Sequence, residues 1–183
     1  MTTATLPTLT AGTWVIDTVH STVGFSVRHL MVSKVRGTFD EFSGTITVAE
    51  DGTPAVEAEI SVDSINTKNE QRDGHIKSAD FFEVETHPEW TFVSTGIEAD
   101  GADYKLNGDL TIKGVTKPVT LDLELGGFGP DAWGGTRCGF TATTTINRND
   151  FGVDIALPLD GGGVVVSEKI AVTLDIQGVL RAA

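Results

Sequence analysis

The sequence is poor in cysteine, in tyrosine and in positive charge. A single cysteine, Cys138, among 183 residues has no internal partner, so nothing in the chain calls for an oxidising compartment. Lys and Arg number 13 against 26 Asp and Glu, a formal net charge of −13. So acidic a chain repels nucleic acid and anionic lipid surfaces unless a local basic patch intervenes, and none stands out along the linear sequence. Nucleic acid is not an expected partner. No apolar run approaches the roughly 20 residues of a membrane-spanning helix, so the chain is expected to be soluble and not membrane-spanning. Residues 1–12 carry neither a basic start nor an apolar core, which excludes a secretory signal within them. With Met1 as the native start, the expected address is cytoplasmic. The expected organisation is a flexible segment, 1–12, ahead of one domain over 13–183.

The usual catalytic spacings are missing as well. His20, His29, His75 and His87 form no His-x-His pair and no His-Glu-x-x-His, and Cys-x-x-Cys is absent, so neither metal nor cofactor is expected. No Gly-x-Ser-x-Gly elbow occurs. Asp17, His20 and Ser21 hold the letters of a nucleophilic triad. On a strand, however, 17 and 20 face opposite sides, as do 20 and 21, whereas triad members must converge. Gly161-Gly-Gly163 lacks the Lys-Ser/Thr that completes a phosphate loop and reads as a flexible hairpin. The expectation is a protein that is not an enzyme.

What is present is a period of two. Apolar and polar residues alternate through 22–28, 56–63, 104–112, 119–125 and 170–177, and weaker runs lie at 35–48, 89–96 and 136–146. Each run is a strand with one dry and one wet face. Clean alternation argues for antiparallel pairing. Asp51-Gly52, Asp100-Gly101, Lys113-Gly114 and Asp160-Gly161 punctuate the runs as hairpin turns. About eight strands result, two of them long (14–31 and 164–180), which suits a closed, tilted barrel. The expected fold is all-β: a single antiparallel eight-stranded barrel. Thr67-Lys-Asn-Glu70 has capping-box spacing with Thr67 as N-cap, so one short helix over Asn69 to Phe82 is expected between strands three and four, as a lid over one barrel end.

Strand parity turns Val23, Phe25, Val27, Ile60, Trp90, Phe92, Leu106, Leu110, Leu121, Leu123, Phe140, Val172 and Leu174 inward, and His29 with them. Arg72 and His75, three apart, share one helix face and can receive a polar head group; the plainer alternative is bonding to strand-end carbonyls or carboxylates, such as Asp63 or Asp80. The loop Phe128-Gly-Pro-Asp-Ala-Trp133 carries two exposed-looking aromatics. Parity alone does not separate a filled barrel from a hollow one.

Several stretches resemble the YceI-like family of polyisoprenoid-binding proteins. They are Trp14-Val-Ile-Asp-Thr-Val-His-Ser21, Val23-Gly-Phe-Ser-Val-Arg-His29, Val35-Arg-Gly-Thr-Phe39, Ser64-Ile-Asn-Thr67, Arg72-Asp-Gly-His75 and Ala79-Asp-Phe-Phe82. Gly108-Asp-Leu-Thr-Ile-Lys-Gly-Val-Thr-Lys-Pro118 and Ile146-Asn-Arg-Asn-Asp-Phe-Gly-Val153 continue the match. One departure is His87 before Pro88, where members often carry an aromatic. The resemblance implies a lipocalin-like barrel whose apolar lumen binds or carries a long-chain isoprenoid or similar amphiphilic lipid. It chooses the hollow barrel and makes a homodimer plausible; the inward residues are then the expected ligand-binding set, with Arg72, His75 and His29, from their faces, as expected donors to the head group. The alternative is an enzyme acting on such a lipid through Arg72 and His75.

Overall fold

The alternating runs become strands of one continuous antiparallel sheet. The structure, a computed structural model, describes residues 9–155 and 165–181. The segments are β1 (Gly12–Ile16), β2 (Thr22–His29), β3 (Ser33–Phe39), β4 (Phe42–Val48), β5 (Pro54–Ser61), β6 (Ile65–Asn66), β7 (Glu89–Asp100), β8 (Asp103–Ile112), β9 (Val115–Pro130), β10 (Thr136–Asn147) and β11 (Val166–Leu180). One helix, α1 (Glu70–Lys77), lies between β6 and β7.

Closure comes from β11, whose 15 residues are long enough to take two partners in succession. Its first part pairs with β2 (Val172 against Phe25, Leu174 against Val23), and its end pairs with β1 (Leu180 against Trp14). β1 and β2 thus lie end to end as one barrel position. β4 pairs with β1 and β3 with β2, so these two also share a position. With β5, β7, β8, β9, β10 and β11 the ring has eight positions, the expected count, and it closes through the β1–β11 pairing, while β3 ahead of Thr38 has β2 as its one ladder partner among the described residues.

The two divided positions change which residues face inward. Trp14 and Ile16 are buried on β1, whereas Val23 is buried and Phe25 half-buried on β2. The inward parity passes from even to odd across the turn at 17–21. Phe39 is buried on β3 and Ile46 and Val48 on β4, so parity returns to even across Asp40-Glu41. A bulge between Ser94 and Gly96 on β7 does the same, turning Ile97 into the core at 2% exposure although Phe92 on the same strand also faces in. An extra residue in one strand reverses every side chain beyond it.

Asp51-Gly52, Asp100-Gly101 and Lys113-Gly114 all sit in hairpin turns, with Gly52, Gly101 and Gly114 at φ of 85°, 64° and 74°. The fourth signal, Asp160-Gly161, and Gly161-Gly-Gly163 lie outside the described residues, as does most of the expected flexible segment. Of its described residues, Leu9 is buried in the core while Thr10 and Ala11 are exposed, and the Trp14 indole N–H donates to Thr10 O at 3.0 Å.

The helix is shorter than expected and capped differently. Asn69, not Thr67, is the N-cap, its side chain accepting from Arg72 N at 2.8 Å. Thr67 bonds Asp73 instead, donating through its backbone N–H at 3.0 Å and through its hydroxyl. Asn at an N-cap does the work of the Thr in a capping box, and Lys68, at φ 65°, turns the chain between the two. After Ser78 the chain leaves the helix, and residues 78–88 form turns.

Two apolar clusters line the interior. Leu9, Trp14, Val48, Ile97, Leu106, Leu121, Leu123, Cys138 and Phe140 pack toward one end, where Trp14 is fully buried. Val23, Phe39, Val62, Ile65, Phe81, Trp90, Ile112, Phe151 and Val153 pack toward the end that α1 covers.

Candidate ligand-binding cavity

Between and around these clusters runs a cavity of about 400 Å³ with an almost entirely apolar lining. That volume lies within the range of sites that bury small organic ligands. Every residue expected at the site lines it: Val23, Phe25, Val27 and His29 from β2, Ile60 from β5, Trp90 and Phe92 from β7, Leu106 and Leu110 from β8, Leu121 and Leu123 from β9, Phe140 from β10, Val172 and Leu174 from β11, and Arg72 and His75 from α1. The barrel is hollow rather than packed solid.

Two glycines help to make the space. A Cβ on Gly37, across from Phe25, would clash with the edge of the Phe25 ring, and one on Gly108 would clash with the ring edge of Phe92. Each phenyl group therefore lies against bare backbone of the barrel wall. Sequence parity does not find Phe39, Ile46 or Ile97, which also line the cavity, because the strand breaks and the bulge reverse their faces. Phe81 and Phe82, inside the quoted Ala79-Asp-Phe-Phe82 stretch, cover the cavity from the turns after α1.

One polar atom in this lining lacks a partner. Trp90 is 8% exposed, and among the described residues its indole Nε1 is the one buried side-chain polar atom without a hydrogen bond. Trp90 stacks edge-on against Phe39 and Phe82, with centroids 4.8 and 4.7 Å away. A buried donor left unmatched costs about 1–3 kcal/mol.

The polar residues gather where α1 meets the barrel. Arg72 donates through Nε to Thr67 Oγ1 at 2.8 Å and through Nη2 to Thr67 O at 2.7 Å. His75 Nε2 lies 3.2 Å from Asp80 Oδ2, and its ring stands edge-on to Phe81. Lys77 pairs with Asp63 at 3.1 Å. The plainer bonding is thus present, with Arg72 on the Thr67 carbonyl and His75 against Asp80, while Asp63 is taken by Lys77; Arg72 and His75 still line the cavity. His75 is exposed, and His29 and Arg72 are half-buried, so these three mark the rim.

Arg148 is a charged cavity residue that strand reading also did not find, although it stands in the Ile146 to Val153 stretch. It is 8% exposed. Nε donates to Ser167 O, Nη1 to Val153 O and Asn149 Oδ1, and Nη2 to Ile155 O and Val166 O. A guanidinium has five N–H groups, and these five bonds use all of them. Burial pushes its pKa down, opposed by Glu168 and Asp154. The side chain clamps backbone and has no donor left for a ligand.

The triad letters behave as two separate pieces. Asp17 and His20 do meet, at 2.8 Å, because 17–21 is a turn and not a strand. Ser21 is buried and turns to β11, accepting from Gln177 N at 2.9 Å. No nucleophile–base contact forms. Phe128 and Trp133 are exposed, as read, with Trp133 lying 5.9 Å from the Arg137 guanidinium.

The model of the YceI-like domain matches residues 14–178. The chain belongs to the YceI-like family. Protein YceI of Escherichia coli O17:K52:H18 is 40% identical over 162 residues, 87% of this chain and 82% of that protein. Among solved structures, the YceI protein of Campylobacter jejuni superposes with a TM-score of 0.72 at 28% identity, covering 85% of this chain and 90% of that one. A polyisoprenoid-binding domain from Saccharophagus degradans superposes with a TM-score of 0.69 at 18% identity, covering 92% and 98%. At that identity the likeness is one of fold. The eight-position ring and the helix over one end are thus the YceI-like barrel.

Proposed function

We propose that this YceI-like barrel binds and carries a long-chain isoprenoid or similar amphiphile, its tail in the lumen and its polar end at the His29, Arg72 and His75 rim. The observation that carries this reading is the lining itself: an apolar cavity with donors gathered at one end. Each buried methylene contributes about 0.8 kcal/mol, so a long tail is held by burial with few polar contacts. The Saccharophagus degradans domain of the same fold, described as binding polyisoprenoids, supports the ligand class. The bonding of Arg72 and His75 favours carriage over catalysis, because Arg72 is directed to Thr67 and His75 to Asp80. Neither is aimed at a nucleophile.

Organic extraction of the purified protein followed by mass spectrometry tests the proposal. A long-chain lipid in stoichiometric yield is expected. Repeatedly empty preparations, or conversion of added lipid to product, would overturn it.

A further inference from the structure

The β2–β3 hairpin closes on a turn that holds three large apolar side chains in water. Leu30, Met31 and Val32 are 41%, 54% and 83% exposed. Val32 N donates to His29 O at 3.1 Å, and Leu30 and Met31 adopt φ of 53° and 59°. Hairpins ordinarily fill such a left-handed pair with Asn-Gly. Two bulky residues are kept here against their backbone preference, and their exposed side chains add little to the barrel interior.

The outer face behind this tip is basic. Register sets Arg28 opposite Lys34 and Ser26 opposite Arg36, and residues two apart on a strand share a face, so the three cations form one patch. All are exposed, and among the described residues none is in an ion pair. Residues 28–36 contain no acid, in a chain of net charge −13. The acid closest in register is Glu168, in the irregular part of β11. This is a basic patch that does not stand out in the linear sequence; pairing the strands doubles its density. The inner face of the same hairpin carries Val27, His29 and Val35, which line the cavity.

We propose that this hairpin seats the barrel on an anionic membrane interface. Leu30, Met31 and Val32 enter the acyl boundary, Arg28, Lys34 and Arg36 meet the head groups, and the cavity mouth faces the bilayer. An apolar tip backed by cations is the pattern of an interfacial anchor. A symmetric dimer through the same patch would set this cluster of cations against the identical cluster of the second copy, and such an interface is self-opposed. Charge therefore selects the lipid surface.

Co-sedimentation with vesicles of phosphatidylcholine plus phosphatidylglycerol, and of phosphatidylcholine alone, tests this. Binding to the anionic vesicles only, weakened by salt, is expected. Each basic residue near such a surface is worth about fivefold in binding, so the double change Arg28→Glu, Lys34→Glu should weaken it by about tenfold or more. Val32→Asp should also weaken it. Lys117→Glu, exposed near the start of β9 and three ring positions from β2, should leave it within about twofold by the same reasoning. All these positions are exposed, and circular dichroism of each variant verifies the barrel. No binding by the native protein, or an equal loss with Lys117→Glu, would overturn the proposal. So would a dimer in sedimentation equilibrium that Val32→Asp dissociates. The readout is vesicle binding rather than lumen content, so its failure leaves the proposed lipid carriage standing, and the converse also holds.

Discussion

Arg137 donates through Nη1 to the carboxylate of Asp17, 120 positions earlier in the chain. The same guanidinium reaches Asp131 through Nε at 3.1 Å, so one side chain ties the turn after β1 to the β9–β10 loop at the end of the barrel away from α1. The Arg137 and His20 bonds hold the Asp17 carboxyl far below the usual carboxylate range. A group whose pKa is depressed in the folded state stabilises above its unfolded value and loses that contribution as pH falls through the range between the two. Asp17→Asn should therefore be less stable than the native protein at neutral pH, with the gap closing as pH drops below about 4. Urea titrations at neutral and acidic pH measure it, and a gap that widens on acidification would contradict the assignment.

The lumen face is tested by charge. Leu123 is 8% exposed and Leu174 packs against both apolar clusters. Leu123→Asp or Leu174→Asp buries an unpaired carboxylate and should destabilise the fold by several kcal/mol, with loss of retained lipid. Thermal melts and extraction yields report the two effects together. Full retention of both by either variant would reverse the assigned face.

Trp90 supplies a more selective test. Trp90→Phe removes the unpartnered donor and keeps a ring between Phe39 and Phe82. In the empty barrel the relief of about 1–3 kcal/mol offsets part of the lost packing, so the change in stability should be small. Affinity for a ligand with an oxygen at lumen depth should fall by about tenfold, the equivalent of one hydrogen bond, while a pure hydrocarbon should bind unchanged. Titration with the two ligand types separates the cases.

At the rim, His75→Ala should weaken a ligand with a charged head by about ten- to a hundredfold, the value of a charge-assisted hydrogen bond, and leave a hydrocarbon nearly unaffected. Arg72→Ala removes two bonds to Thr67 as well, so it should also loosen α1. Equal losses for both ligands in both variants would assign these residues to holding the helix.

Cys138 reports on opening of the barrel. It is 2% exposed, and burial pushes its thiol up to about 11. Thiolate is the reactive form, so labelling by a thiol reagent at mildly alkaline pH should be slow in the native protein and immediate in urea. Rapid labelling without denaturant would place Cys138 outside the core.

Much of this architecture is local and therefore readable from the chain. Alternation at 56–62 or 119–125 states which side chains share a face, because a strand's period is two whatever it pairs with. Asp-Gly and Lys-Gly mark turns because the backbone there requires positive φ. The same reasoning places Val23, Phe25, Leu123 and Leu174 inward together, and all four line one cavity. The helix was legible in place but not in detail: Thr67 and Asn69 are both capping residues, and only the contact with Asp73 decides between them.

What the sequence by itself determined is the all-β class, the eight-position count and the apolar inner face, since each follows from short-range periodicity. Tertiary structure alone decided the rest. Whether a barrel is hollow depends on where rings lie relative to bare backbone, as Phe25 does on Gly37 and Phe92 on Gly108. The inward faces of Trp14 and Ile97 depend on breaks and bulges that reverse parity. The carbonyls that hold Arg148 come from Val153, Ile155, Val166 and Ser167, and no local pattern gathers them. The basic face of the β2–β3 hairpin exists because the register sets Arg28 beside Lys34. Periodicity is a property of a segment, whereas a cavity, a clamp and a charged patch are properties of segments brought together.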